Sequence, residues 1–508
     1  MHELTHRLVR MHIPKGLTIS VRYLSKTKLM AGRQCPRRLW LDVYAPEHAE
    51  VSAATERAFA VGHEVGEVAQ RLWPDGALIG HDQELAQALQ ETAERLAHPG
   101  PVTLFEATFR TEGVLIRADI LERNAHGQIR LVEVKASTSV KPHYMDDCAI
   151  QAWVLAQSGC PPERVELAHV NNQFVYGGDG DYQGLLSLAD VTDTVRSRQQ
   201  AIPGLVSELR DMLAEDEPLI EVGRHCHQPY DCPFLIYCTP PQPDYPVTAL
   251  PGGKRAAGEL MAEGIEDIRD VPPGRLKNET AEWVRAVTVA GQPELRTAAA
   301  AELATLGWPR YYFDFETVSF AVPIWAGTRP YQALPFQWSC HVEYPDGTDA
   351  HHEFLAEGDR PPMRACAEAL IEALGDDGPV LVYTRYEQGV LRDLAGWFPD
   401  LAPQLEAILA RLYDLHPLTR ANYYHPDMLG SWSLKKVLPT VAPDLSHHEL
   451  DMVREGAEAS EAFLRLLDRN IGAEERQALR QALLDYCKLD TLALVRLARF
   501  LGATPVAG

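Results

Sequence analysis

Two sets of acidic residues, far apart in the chain, have the types and spacing needed to hold divalent cations. The first is Asp119 followed by Glu133-Val134-Lys135. Alternate residues of a strand share one face, so Glu133 and Lys135 address the same pocket if 129–136 is a strand, and Asp119 joins them from the end of the preceding strand. Cutting a phosphodiester requires a divalent cation held against the phosphate and a water activated in line. Carboxylate oxygens suit Mg²⁺ or Mn²⁺, and a lysine can orient the water and offset developing charge. On this reading Asp119 and Glu133 hold the metal and Lys135 serves the water. The second set is Asp314-Phe315-Glu316, whose carboxylates fall on one side of a strand, with Tyr486 and Asp490 near the C-terminus. A four-residue spacing places Tyr486 and Asp490 on one helix face.

Four cysteines bracket the first set: Cys35 upstream, and Cys226, Cys232 and Cys238 at intervals of six downstream in HCHQPYDCPFLIYC. Thiolates suit both iron–sulfur clusters and zinc. Zinc sites more often use short C-x2-C knuckles, although His225 and His227 flank Cys226 and could join such a site. With nine cysteines in 508 residues and no apolar export signal, a disulfide framework is not expected.

The elements that must position these residues are legible in outline. Residues 21–240 read as a mixed α/β domain, helical at 50–72 and 82–98, with strands around 102–110, 114–121 and 129–136 and then a helix carrying Asp147 and Gln151. The proline-rich TPPQPDYPVTALP marks a boundary. Residues 241–305 read as a helical linker, in which GELMAEGIEDIRDVP has the rhythm of a helix-hairpin-helix. Residues 306–508 read as a second α/β domain. In it YYFDFETV and VLVYT are strands, and a long amphipathic helix covers about 473–501.

The first set resembles the PD-(D/E)XK nucleases. Gln151, in DDCAIQAWVL, matches the Gln-containing motif of their RecB-like branch. The one-plus-three cysteine pattern is similar to the iron–sulfur nucleases of the AddB and CRISPR-adaptation type. That resemblance implies a 4Fe–4S cluster on Cys35, Cys226, Cys232 and Cys238, closing the ends of a restriction-endonuclease-like domain. RecB-like nucleases usually add a metal-binding His on an early helix, a place that His63 or Glu67 in VGHEVGEVAQ would have to fill.

FDFET and Y-x3-D resemble the DEDDy exonucleases of the RNase H-like fold, in which a strand pair of carboxylates binds both metals and a tyrosine positions the water. The resemblance implies roles for Asp314, Glu316, Tyr486 and Asp490. It puts Glu387, where Asp is usual, at the third carboxylate, with Asp393 as a second candidate and Asp414 close by. SWSLKKVLP resembles the Ser-Leu-Lys segment of proofreading domains. The whole region is similar to a bacterial domain of unknown function found behind RecB-like nucleases.

Together these features imply a metal-dependent nuclease acting on DNA that is single-stranded or has free ends, with RNA as a further substrate for the second domain. The alternatives are a nucleic-acid-binding adaptor with one or both sites vestigial, or a ribonuclease. No G-x4-G-K-[ST] is present, so unwinding would need a separate helicase. No apolar run approaches the roughly 20 residues of a membrane span, and the expected location is the cytoplasm.

The formal charge of −23 is unusual for a partner of phosphates. Residues 1–45 are the exception. Arg7, Arg10, Lys15, Arg22, Lys26, Lys28, Arg33, Arg37 and Arg38 stand there against Glu3 and Asp42, a local charge of about +7 beside Cys35.

Overall fold

A computed structural model describes residues 23–80, 84–358, 360–445, 453 and 456–502. The chain is mixed α/β and divides into two compact units. The first contains Met1–Pro240 and Phe320–Tyr331, the second Pro241–Ser319 and Gln332–Gly508. No helix among the described residues is long and apolar enough to cross a membrane.

The first unit is built on a seven-stranded sheet. Its strands are β1 (Leu24–Ser25), β2 (Ala77–Leu78), β3 (Val102–Thr111), β4 (Val114–Arg123), β5 (Ile129–Lys135), β6 (Pro162–Val170) and β7 (Leu186–Asp190). They run in the order β2-β3-β4-β5-β6-β7, and β1 also pairs β4. β3 pairs β4 along its whole length, whereas the opposite edge of β4 is shared. Val114 and Leu115 pair β1, and Ile120 to Arg123 pair β5. Between these two pairings the edge of β4 opens into a fork, and Asp119 lies in it.

β5 (IRLVEVK) is covered on both faces, and its charged Glu133 and Lys135 both fall on one of them. Val132 and Val134 pack toward the Ala53–Leu72 helix, with Val65, Val68 and Ala69. Leu131 faces the other side, where the Tyr144–Gln157 helix is buried from Tyr144 to Leu155. Glu133 and Lys135 share that second face by strand alternation.

The second unit carries a five-stranded sheet in the order β11-β10-β9-β12-β13, after a short pair formed by β8 (Glu294–Leu295) and β14 (Tyr423–Tyr424). Here β9 is Arg310–Val318, β10 Leu334–Glu343, β11 Asp349–Leu355, β12 Val380–Val382 and β13 Leu412–Asp414. β10 is antiparallel to β9 and β11, while β12 is parallel to both β9 and β13. The 28-residue Ala473–Phe500 helix lies across β9 and β10. Facing it are Tyr312, Asp314 and Glu316, paired in register with His341, Ser339 and Gln337. Gln337 donates to Leu483 O and His341 Nδ1 meets Thr491 Oγ1, so the helix is held on this polar row by hydrogen bonds. Phe313 and Phe315 point to the opposite face, where Phe313 meets Trp338.

Two expectations are corrected. Segment 241–305 is no linker. Val247, Leu250, Ala257, Leu260, Val284 and Val287 bury their side chains in one cluster with Leu494, Val495 and Leu497 of the long helix, so the segment is part of the second unit's core. The helix-hairpin-helix rhythm also fails. The Lys254–Ala262 helix ends near Gly264 (φ +79°), and only a 3₁₀ turn, Ile268–Asp270, follows before Pro272 and Pro273. Consecutive prolines lack the N–H groups that a second helix would use.

Candidate active sites

The structure brings Asp119, Glu133, Lys135 and Gln151 together, and adds two residues. Asp119 Oδ2 accepts Val134 N–H at 2.7 Å, capping the ladder where β4 and β5 part. Glu133 is 1% exposed. Its Oε1 receives Lys135 Nζ at 2.6 Å and Lys26 Nζ at 2.8 Å, and its Oε2 receives Gln151 Nε2. Asp147 receives Lys135 on Oδ2 at 2.6 Å, Lys26 on Oδ1 at 3.1 Å and Gln151 Nε2 at 3.2 Å. The result is a closed ring of two carboxylates, two ammoniums and one amide.

Asp147 and Gln151 project from the same helix one turn apart, which the i, i+4 rule makes inevitable once Gln151 faces the sheet. Lys26 arrives because β1 docks on β4 and the chain turns at once into the Lys26–Gln34 helix, capped by Ser25 Oγ on Lys28 N–H.

Electrostatics separate Asp119 from Asp147. Burial, helped by Glu133 alongside, pushes Asp119 up to about 8 against the pull of the two lysines. Burial acts on Asp147 in the same sense, but Lys26 and Lys135 outweigh it and hold this carboxyl well below the usual range. Burial acts to lower both lysines, yet Glu133 and Asp147 keep them above their ordinary value. Asp119 and Glu133 are hard oxygen ligands on adjacent strands and fit a divalent cation. His63 and Glu67 lie on the exposed side of the Ala53–Leu72 helix and are not drawn into the cluster.

The four cysteines converge. Cys35 sits between the Lys26–Gln34 and Pro36–Tyr44 helices, Cys226 ends a 3₁₀ turn, Cys232 N–H donates to Cys226 O at 2.8 Å, and Cys238 ends the Leu235–Cys238 helix. Burial raises the Cys238 thiol to about 11; Arg37 opposes this, while the neighbouring Cys232, Cys35 and Cys226 add to it. Cys232 is raised in the same way by burial, by Cys226 and by Cys35, with Arg38 opposing. Arg38 Nε is buried without a hydrogen-bond partner. Four thiols with two guanidiniums beside them, one holding a spare buried donor, fit a negatively charged thiolate-held cluster. His227 turns to Asp231 at 2.9 Å on the exposed side, which takes it away from such a role.

Around Cys35, several of the described basic residues are taken up in ion pairs. Lys26 enters the acidic ring, Arg33 pairs Asp146 at 3.0 Å and Arg37 pairs Glu217 at 2.7 Å. Arg7, Arg10, Lys15 and Arg22 lie outside the described residues.

In the second unit Asp314, Glu316 and Asp490 each offer a ligand atom, all within 4.8 Å of one another. Glu387, in the first turn of the Tyr386–Trp397 helix, is 2% exposed, and its Oε2 is buried without a hydrogen-bond partner among the described residues. Burial, then Asp490, Glu387 and Glu316, hold Asp314 well above the usual carboxylate range. Burial, with Asp490 and Glu387, puts Glu316 at about 8, and burial puts Glu387 at about 7. Tyr486 is buried one turn before Asp490, and its hydroxyl is raised by burial and by Asp490, Glu316 and Asp314 around it. Four acidic side chains gathered in one largely buried pocket, three of them held above the usual carboxylate range, are an electrostatic condition suited to binding divalent metal.

Asp393 lies on the exposed side of its helix and takes no part. Asp414 has a positioning role. Its Oδ1 accepts both His416 N–H and Thr384 N–H at 2.9 Å, and so fixes the end of β12 just before Glu387. Thr384 there adopts φ +88°, a costly conformation for a β-branched residue.

Among known proteins, a domain of unknown function, DUF2779, matches residues 311–433, a stretch that includes Asp314, Glu316 and Glu387. No curated protein matches the chain. One solved structure, titled "Crystal structure of SSO0001", is similar at 16% identity over 43% of this chain and 85% of that chain, with a TM-score of 0.22. So slight a likeness carries no argument.

Proposed function

We propose that this protein is a metal-dependent nuclease with two hydrolytic sites, acting on DNA that is single-stranded or has free ends. The observation that carries the reading is the convergence of Asp314, Glu316 and Asp490 within 4.8 Å, with the buried Glu387 close enough to raise Asp314. Such a pocket suits a pair of Mg²⁺ or Mn²⁺ ions that clamp the attacking and leaving oxygens of a phosphodiester. Tyr486 stands beside it to orient a water.

The second unit is read as an RNase H-like, DEDDy-type 3′→5′ exonuclease. Supporting this, its sheet is an antiparallel meander continued by two parallel strands, with the acidic pair on the central β9. The first unit is read as a RecB-like PD-(D/E)XK nuclease. Asp119 and Glu133 would hold the metal, Lys135 would serve the water, and Gln151 orients Glu133. A 4Fe–4S cluster on Cys35, Cys226, Cys232 and Cys238 would tie the ends of this unit together, a structural task remote from the cleavage chemistry.

The deciding experiment is digestion of end-labelled single- and double-stranded DNA, and of matched RNA, with Mg²⁺ or Mn²⁺. The wild type is compared with Lys135→Ala and with Asp314→Ala. Each variant should lose one component of the cleavage pattern and the double variant both. An inert wild type that still binds DNA would leave the adaptor reading in its place.

A further inference from the structure

Glu133 Oε1 is occupied by two ammonium groups at once, Lys135 at 2.6 Å and Lys26 at 2.8 Å, and Asp147 is bridged by the same pair. A divalent cation on Glu133 would sit beside both lysines. Like charges a few ångströms apart in a poorly hydrated pocket repel by several kcal/mol, so one ammonium must withdraw when the metal enters.

The two lysines are not equivalent. Lys135 belongs to a central strand, with its ammonium 5.4 Å from the centre of the Tyr144 ring and 2.6 Å from Asp147. Lys26 starts a helix at the end of a two-residue strand, and its contact with Asp147 is longer, 3.1 Å. Its four-carbon stem lets the charge swing several ångströms without moving the backbone.

We propose that Lys26 is a place-holding cation. It neutralises Glu133 and Asp147 in the metal-free protein, and when a divalent ion takes its place it turns its ammonium to a phosphate of the strand being cut. This rests on the reading of the first unit as a metal-dependent nuclease. It gives a task to a residue that is remote in sequence from Glu133 and yet ends inside the ring.

The test uses the full chain with the second cluster disabled by Asp314→Ala and Asp490→Ala, and compares Lys26 with Lys26→Met and Lys26→Arg. Mn²⁺ binding is followed by calorimetry. Binding of a single-stranded oligonucleotide is followed as a function of salt, with Ca²⁺ replacing Mn²⁺ to hold the strand uncut. Lys26→Met should bind Mn²⁺ about tenfold more tightly, because a charge-assisted contact competing for Glu133 has gone. Its salt slope for the oligonucleotide should fall by roughly 0.7, the loss of one phosphate contact on a single strand. Lys26→Arg keeps the charge and should keep the wild-type slope, which also serves if Lys26→Met does not fold.

Unchanged or weaker Mn²⁺ binding by Lys26→Met overturns the proposal, as does an unchanged salt slope or a reduced slope in Lys26→Arg. If Lys26 itself supports no Mn²⁺ binding in this background, the metal-dependent reading of the first unit fails with it. That result is distinct from a wild type that binds Mn²⁺ with an affinity indifferent to Lys26.

Discussion

Asp314 on β9 and Asp490 on the long helix each offer a carboxylate oxygen within 4.8 Å of the other. Buried carboxyls this close repel when both are charged, and burial with the neighbouring Asp490, Glu387 and Glu316 holds Asp314 well above the usual carboxylate range.

Metal binding at this site should therefore be a proton exchange. The ligands must deprotonate to bind, so Mn²⁺ affinity should rise by at least about tenfold from about pH 6 to about pH 8.5, with protons released. The sign for stability is opposite in the metal-free protein. Carboxyls raised from an unfolded value of about 4 stabilise the fold fully below that value, and the contribution is lost as pH rises through about 7 to 8. Metal-free protein should lose Tm across that window and regain it with Mn²⁺, and Asp314→Asn should blunt both effects. Calorimetry in two buffers and thermal melts check this, and a flat affinity across the range would remove proton exchange from the account.

In a background carrying Asp314→Ala, Lys135→Ala should slow cleavage at least about a hundredfold, the usual scale for removing a group that serves the attacking water. It should also cost about 1–3 kcal/mol in urea unfolding, because Glu133 and Asp147 lose a buried charged partner while keeping Lys26. Undiminished cutting would take the first unit off the list of catalysts.

Anaerobically purified protein should be brown, with iron and acid-labile sulfide and without stoichiometric zinc. Cys232→Ser should bleach it and lower the stability of the first unit, since the four thiols join segments almost 200 residues apart. Zinc in place of iron in an anaerobic preparation would decide for the other metal.

With Lys135→Ala silencing the first site, Tyr486→Phe should slow release of nucleotides from a 3′ end about tenfold or more while metal occupancy stays the same. Glu387→Asp should retain part of the activity and Glu387→Ala should not. Equal activity in all three variants would make the second cluster a scaffold.

Much of this was legible because it is periodic. The carboxylates of Asp314 and Glu316, two apart on a strand, and of Asp490, one turn after Tyr486, needed only the repeats of strand and helix. The helices expected at 50–72 and 82–98 appear as Ala53–Leu72 and Leu85–Ala97, and the strands expected at 102–110 and 129–136 as Val102–Thr111 and Ile129–Lys135.

Lys26 was hidden for a physical reason. It is delivered by a strand of two residues, too short to show any alternation, and among its basic neighbours it reads as a surface charge. Asp147 left a usable trace, since it precedes Gln151 by four and had to share its face. The burial of 241–305 was masked by prolines, which mark a boundary in sequence whether or not the segment beyond packs back onto a core.

The chain leaves the second unit after Ser319, gives Phe320–Tyr331 to the first, and returns at Gln332. Within that segment Ala321 and Val322 cover Val65 and Val68, Tyr182 donates to Pro323 O at 3.1 Å, and Tyr331 donates to Ala136 O next to Lys135. On the ribosome the first unit is consequently unfinished when its own 240 residues have emerged. It waits for β9 to be synthesised and for Tyr331 to follow, and until then Val65 and Val68 lack the part of their cover that Ala321 and Val322 supply. A gene cut at Pro240 would make that interim state permanent, leaving one fragment with an uncovered helix face and the other with an apolar strip that has nothing to cover.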